Sequence, residues 1–487
     1  MLEVAFGLLF LAALPAVANW RMGLTLCVLT AVMQDPLRKL TPNEPAYFVL
    51  FAGVIFAAAM LGAAMAGKRL RPNAIRGWKS EMGKPFALYL MLVAVQAAHS
   101  LVRFGSPQIT VIGLISYLAP IPAIVFAYQF AMRKGLAGLR AWMWVYALAA
   151  GAALSGVYLE YMEVDWEALG EVGQGLTIYD VGTVLKAYSG FFRSSEIAAW
   201  HTATMACFLF ILLIGRRLTL PRILIALAVI GLLISLGVLT GRRKMLVVVT
   251  VFVCAYFFLV AWFQNRAARP ALFAAAAGVL SFVAVVGMMA PDAGESDTKH
   301  LRLDPGERYE HYTARSQSVF EDVPKRFDDL GLQPVIWAVN GFGLFGAGLG
   351  TGSQGVQHVA ASASIDRGAA EGGLGKITME LGVPGLVLLA WLATAFYRYV
   401  RKLLEATTKL SRPHARLAYG MLAFLIANTA SFLVATQVFG DVFVQLMMGW
   451  AVGFLLAMPV LAERDVEIRR QRALSRQVQP PFAGRLA

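Results

Sequence analysis

Residues 222–263 read RILIALAVIGLLISLGVLTGRRKMLVVVTVFVCAYFFLVAWF. After Arg222 the stretch holds two uncharged apolar runs, 222–240 and 245–263, joined by Gly241-Arg242-Arg243-Lys244. Each run is close to the roughly 20 residues that carry an α-helix across a bilayer. Within lipid every backbone N–H and C=O must be satisfied inside the segment, so the runs read as helices. The tight connection makes them antiparallel neighbours. The same pattern repeats outward in both directions.

The chain has 487 residues, 58% of them hydrophobic and 15% charged, with a mean hydropathy of +0.64. A soluble domain carries about 25% charged residues, so this composition excludes a soluble globular enzyme, a disordered chain and a disulfide scaffold. Apolar segments fall at 2–18, 20–33, 46–67, 86–104, 108–132, 141–158, 196–214, 222–240, 245–263, 271–290, 377–399, 418–437 and 441–461. The first two are short enough to form one hairpin. The expected fold is therefore all-α, a polytopic transmembrane helical bundle of about 12–13 spans. Its parts are N-terminal transmembrane helices (1–290), a long polar loop (291–376), C-terminal transmembrane helices (377–462) and a basic tail (463–487). The apolar start, Val4 to Val17, has no basic region before it and reads as a first span rather than a cleaved signal. Cys27, Cys207 and Cys254 sit in apolar runs and read as small buried hydrophobes. No metal spacing and no clear internal repeat is visible.

The net charge is +14. Six basic clusters, at 68–84, 133–140, 216–222, 266–269, 398–416 and 464–476, fall on one side of the span map. The positive-inside bias makes that side cytoplasmic, the C-terminus with it. The other side carries the long polar segments 159–195 and 291–376. The acids that open the first, Glu160, Glu163, Asp165, Glu167 and Glu171, read as a solvated outer loop. A loop as long as the second is expected to be functional.

Some basic residues lie outside against the bias. Arg38 and Lys39 sit in QDPLRKLTP; Arg103 ends a span; Arg193 precedes another; Arg242, Arg243 and Lys244 form the turn quoted above; Arg302, Arg308 and Arg315 lie in the long loop. Snorkelling to headgroups is one explanation. The other is anion binding, because arginine makes forked, charge-assisted hydrogen bonds to phosphate oxygens. Arg193-Ser194-Ser195-Glu196 reads as a helix start with its cap and first-turn acid. His201, deeper in that span, is either functional or an interfacial packing residue beside Trp200. His99 and Arg103, four apart, share a helix face; they line a cavity or pack at the boundary. Residues 305–330 show an amphipathic helical spacing with Arg308, His311 and Arg315 at the edge of the apolar stripe, either on a functional rim or on a surface helix. NGFGLFGAGLGTGSQG (340–355) has a backbone free to approach a ligand closely. Glu371 then leads EGGLGKITMELGVPGL, with Glu380 at the start of the next span. A carboxylate here is either a general base or a salt-bridge partner.

This combination resembles the O-antigen ligase and O-antigen polymerase superfamily. LTGRRKML (239–246) is similar to that family's Thr-x-Ser-Arg turn, with Arg243 at the matching arginine. LFGAGLGTG (344–352) is similar to its Pro-leu-x-Gly-x-Gly stretch, and ITMELGVPGL (377–386) to its Glu-leu-Gly-ile-x-Gly-leu opening of a late span. QDPLRKLTP (34–42) looks like a subgroup's first outer turn. The resemblance spans about residues 30 to 460. It implies a C-type glycosyltransferase of the bacterial inner membrane, acting at the periplasmic face on undecaprenyl-pyrophosphate-linked glycan, without nucleotide sugar, cofactor or metal.

Its partners would be a glycan or lipid acceptor, membrane lipids and other polysaccharide assembly proteins, and no nucleic acid. The pyrophosphate role carries over to Arg243, and with it to Arg193, Arg242 and Arg315. Many ligases carry a histidine just before the late Glu-leu-Gly segment, where this chain has Glu371. Glu371, His358 and His311 thus remain as candidate catalytic bases, and His99, Arg103, His201 and Arg308 as candidate cavity residues. An exopolysaccharide or O-antigen polymerase is the leading expectation. A ligase to lipid A core and a transporter or flippase of anionic glycolipids are the alternatives.

Overall fold

A computed structural model describes residues 1–68, 70–172, 177–180, 183–214, 219–242, 244–264, 331–353 and 372–478. Their helices are α1 (Leu2–Ala18), α2 (Gly23–Lys39), α3 (Phe51–Met65), α4 (Trp78–Glu81), α5 (Gly83–Phe104), α6 (Pro107–Leu118), α7 (Pro120–Tyr161), α8 (Ser195–Ile214), α9 (Leu220–Val238), α10 (Lys244–Gln264), α11 (Gln333–Phe342), α12 (Gly373–Leu410), α13 (Arg412–Val434) and α14 (Val442–Val478). A small antiparallel hairpin, β1 (Thr177–Asp180) with β2 (Thr183–Lys186), lies in the connection between α7 and α8 and leaves the expected helical architecture intact. Nine helical stretches among the described residues are long and apolar enough to cross a membrane. The 55-residue stretch from Pro107 to Tyr161 contains a non-helical break at Gly135, between the apolar segments 108–132 and 141–158, and at about 1.5 Å per residue is long enough for two crossings. Segment 271–290 lies outside the described residues.

Local chemistry sets the helix ends. α5 stops where Gly105 takes φ 60° and returns its N–H to Leu101 O, a left-handed cap open to glycine. Prolines open α6, α9, α11 and α13 within their first two positions, where a missing N–H costs no helical bond. α14 continues unbroken from Val442 to Val478.

Packing centres on α7 against α14. Gly449 and Gly453 present bare backbone there: a Cβ would lie 2.5 Å from Pro120 O at the first and 2.3 Å from Ile124 O at the second. Lipid tails are as apolar as leucine, so membrane helices associate through such close approach rather than through a hydrophobic drive. Trp142 fills the seam beside it, edge-on to Trp450 at 5.8 Å and to Phe454 at 5.3 Å. Leu11, Leu148 and Val102 are exposed, as lipid-facing side chains should be.

The bundle has two chemically different ends. At one, the basic loops meet: Arg76 pairs with Glu463 at 2.5 Å, Lys402 with Glu81 at 2.6 Å, and Arg464 donates to Met132 O at 2.9 Å. At the other, charged residues of α2, α8, α14 and their connections form a partly buried network.

Candidate anion site and its supporting network

The last turn of α2 and the segment 187–194 build the first half of this network. Asp35 is 1% exposed and Asp441 2% at their side chains, and Arg193 lies between them. Arg193 Nη1 sits 3.3 Å from Asp35 Oδ1, its backbone N–H donates to Asp35 Oδ2 at 3.1 Å, and Nη2 donates to Asp441 Oδ2. The second Asp441 oxygen accepts Val444 N–H at 3.1 Å and so caps α14. Burial works against the guanidinium charge, but Asp441 and Asp35 more than offset it, and the Arg193 pKa lies above the ordinary arginine value.

Lys39 Nζ, beyond the apolar stretch of α2, donates to Gly190 O at 2.7 Å. Its pKa is pushed down to about 8 by burial, which Asp35, Glu160, Glu171 and Glu44 only partly oppose.

The acidic outer loop is solvated at Glu163, Asp165 and Glu167, as the sequence suggests, but not at Glu160 or fully at Glu171. Glu160 is buried; Oε2 accepts the N–H groups of Ser189 and Gly190 at 2.9 and 2.8 Å, and Oε1 lies 3.2 Å from Lys186 Nζ. Glu171 Oε1 takes the Ser195 N–H at 2.8 Å, capping α8. Gly190 has φ 60°, and a Cβ on it would meet Val157 N at 2.3 Å. That contact lets the segment lie flat on α7.

The second half lies where the N-termini of α8 and α10 meet. Gly241 (φ 66°) turns the chain. Arg242 Nε then donates to Ser195 Oγ at 3.0 Å, and Nη1 lies 3.3 Å from Glu196 Oε1. Lys244 Nζ lies 3.3 Å from the same oxygen and also donates to Gln437 Oε1. Arg242 Nη2 is buried with no hydrogen-bond partner among the described residues. Beneath these groups is a cavity of about 20 Å³ lined by Trp200, Met245 and Ser431 among others. The described charges in the whole network balance: Arg38, Lys39, Lys186, Arg193, Arg242 and Lys244 face Asp35, Glu44, Glu160, Glu171, Glu196 and Asp441. Arg193 is thus a clamp between buried carboxylates, whereas Arg242 keeps a donor to spare.

The glycine-rich loop forms a separate polar cluster. Residues 346–353 run inside the bundle between α5, α6 and α12, whereas Gly343, Leu344 and Phe345 are exposed. Ala347 N–H reaches Met379 O at 2.6 Å, Gln96 Nε2 reaches Phe345 O at 2.9 Å, and Ser100 Oγ reaches Leu349 O at 2.8 Å. Gly350 has φ 87°, and a Cβ there would lie 2.0 Å from Ile109 O. α12 is broken at Gly382 (φ 71°), so Leu344 O accepts Val383 N–H at 2.8 Å. Just before the break, Glu380 is 0% exposed. Its Oε1 accepts Gly352 N–H at 2.9 Å and lies 3.4 Å from Ser353 Oγ; Oε2 has no hydrogen-bond partner among the described residues. Tyr117 faces this carboxylate, and Lys376, one turn earlier on α12, is buried too.

The candidate cavity residues divide between the two clusters. His201 packs at the first: its ring stacks on Phe192 at 4.6 Å and on Phe443 at 5.8 Å, and Nδ1 pairs with Tyr146 Oη at 3.0 Å. His99 and Arg103 belong to the second, on Gln96 Oε1 (3.2 Å) and over the Phe342 ring (5.9 Å). Arg243, Arg308, His311, Arg315, His358 and Glu371 lie outside the described residues. Sequence reasoning missed Asp35 and Asp441 as partners. The available signal was an acid at the edge of an apolar run, in QDP and GDV.

The described fold defines a multi-pass helical membrane protein. No protein-family model and no curated protein matches the chain. Among the described residues, no group of three or more His, Cys, Asp or Glu is arranged to hold a metal ion.

Proposed function

We propose that this protein is an inner-membrane glycosyltransferase that polymerises or ligates undecaprenyl-pyrophosphate-linked glycan repeat units at the periplasmic face. The favoured form is an exopolysaccharide or O-antigen polymerase, with the C-terminus cytoplasmic. The observation that carries this reading is the meeting of the α8 and α10 N-termini around Arg242 and Lys244, at the end opposite the basic loops. Helix N-termini and arginine both favour a phosphate group. Neutralising a departing pyrophosphate there would stabilise charge that grows in the transition state. Arg193 then acts on the site by holding α2, α14 and the 187–194 segment together. Arg243 and Arg315 would add positive charge, and Glu371, His358 or His311 would take the proton from the acceptor hydroxyl. Ligation to lipid A core uses the same donor chemistry.

A second reading, transport of an anionic glycolipid, has one observation in its favour. α12 is broken at Gly382 beside buried Glu380 and Lys376, and broken helices bearing buried ionisable groups are a transporter device. One experiment separates the two. Purified protein in vesicles with lipid-linked repeat units should lengthen glycans and release undecaprenyl pyrophosphate, and Arg242→Gln should stop both while still inserting. Movement of intact lipid-linked units across the vesicle without product would replace the transferase by the transporter.

A further inference from the structure

The end of the bundle where the basic loops meet holds a cavity of about 230 Å³ between α4, α12 and α14. Leu403, Ala406, Leu456, Pro459 and Val460 make its apolar wall, and Arg76, Glu81, Lys402 and Glu463 stand around it. These positions straddle the ends of the apolar segments 377–399 and 441–461, so the cavity sits at the depth of lipid headgroups. Arg76 pairs with Glu463 and Lys402 with Glu81, which gives the rim two cations, two anions and no net charge. The backbone beneath the rim is pinned. Tyr399 is buried and donates its hydroxyl to Arg76 O. Gly77, at φ 78°, lies so close to the same ring that a Cβ would come within 3.2 Å of it. Ser80 Oγ donates to Gly77 O at 3.0 Å. The charged tips, by contrast, can re-aim: the Arg76 and Lys402 side chains are 63% and 65% exposed. Ion pairs that open to water hold little energy and exchange readily for a ligand that carries both charges.

We propose that this cavity seats the headgroup of one phosphatidylethanolamine molecule. Its phosphate accepts hydrogen bonds from Arg76 and Lys402, its ammonium donates to Glu81 and Glu463, and its glycerol backbone lies along the apolar wall. Charge balance makes the selection. Phosphatidylglycerol would compete with Glu81 and Glu463 for the two cations and offer those carboxylates no positive charge in return. Phosphatidylcholine brings both charges, but its quaternary ammonium has no N–H to donate. The volume is below the roughly 300–1,000 Å³ of sites for drug-sized ligands, which suits a headgroup and not an oligosaccharide. The seated lipid ties α4 to α12 and α14, independently of any chemistry at the opposite end.

The test counts the lipids that purified protein retains in native mass spectrometry after titration with dioleoyl phosphatidylethanolamine, phosphatidylglycerol or phosphatidylcholine. Wild type should retain one phosphatidylethanolamine about tenfold more tightly than either other lipid, and that lipid should raise the unfolding midpoint. Glu81→Gln/Glu463→Gln frees both cations and removes the partners of the ammonium. It should lose the ethanolamine preference and bind phosphatidylglycerol about tenfold more tightly than wild type does. Arg76→Gln/Lys402→Gln should lose the retained phosphatidylethanolamine. Because exposed ion pairs add little to stability, both variants should unfold like wild type when no lipid is added. Equal retention of the three lipids by wild type would overturn the proposal. So would an unchanged ethanolamine preference in Glu81→Gln/Glu463→Gln, or phosphatidylethanolamine held at wild-type strength by Arg76→Gln/Lys402→Gln.

Discussion

Removing the Arg193 side chain should be among the most destabilising single changes at this end of the bundle. Arg193→Gln would leave Asp35 and Asp441 facing each other at 1% and 2% exposure without the guanidinium that bridges them. Breaking a buried pair from one side costs about 3–5 kcal/mol, because a charge stays buried and uncompensated. That is a large part of the ~5–15 kcal/mol that separates native from unfolded proteins. Asp441→Asn should cost less, about 1–3 kcal/mol, since Arg193 keeps Asp35 and the asparagine oxygen can still accept Val444 N–H. In the Arg193→Gln/Asp441→Asn double variant one stranded carboxylate is gone, so its cost should be below the sum of the singles. Unfolding of purified protein in mixed micelles by added dodecyl sulfate, followed by tryptophan fluorescence, gives the ordering. An Arg193→Gln protein within 1 kcal/mol of wild type, or one more stable than Asp441→Asn, would refute the clamp.

Three further outcomes follow from the same geometry. Gly350→Ala places a Cβ against Ile109 O at φ 87° and should cost at least the ~1–3 kcal/mol of a strained backbone; Gly231→Ala, with nothing within 4 Å, should be neutral or slightly stabilising in the same unfolding assay. Glu380→Ala leaves Gly352 N–H buried without its acceptor, so proteolysis within 343–353 should rise. Glu380→Gln, which still accepts, should resist cleavage as wild type does; equal cleavage of all three would remove Glu380 as the anchor of the loop. Lys39 should titrate near 8, below the ordinary 10.5, in NMR of the ¹³C-methylated protein. Because the folded form releases this proton first, the penalty of its buried charge is present in full below pH 8 and disappears as pH rises to about 10.5. Stability should therefore increase across that window in wild type and less so in Lys39→Met; a Lys39 resonance titrating at 10.5 would contradict the burial.

Hydropathy and run length located the crossings. Every apolar stretch within the described residues lies mainly on helix, with departures of a few residues at its ends or at a break, as where α13 stops at Val434. In lipid, backbone satisfaction leaves an apolar run of that length little choice but helix, and this constraint acts within about 20 residues of chain. The unusual Arg-Arg-Lys turn was visible for the same reason: its oddity is local, cations where topology disfavours them. The glycine-rich loop could be read as one that approaches something closely, but not that the something is Gln96, Ser100 and Met379 of its own bundle.

Pairing was invisible. Arg193 meets Asp35 from 158 residues away and Asp441 from 248, and nothing in a linear pattern couples such positions. Glu160 and Glu171 read as solvated acids because composition reports residue type, whereas burial depends on which backbone N–H groups a fold folds over them. Whether a charge is a ligand-binding group or a structural one is set by what lies within about 4 Å of it. In the sequence Arg193 and Arg242 are equivalent exceptions to the positive-inside bias. Only tertiary structure separates them, by enclosing the first between two carboxylates and leaving the second with an N–H to give.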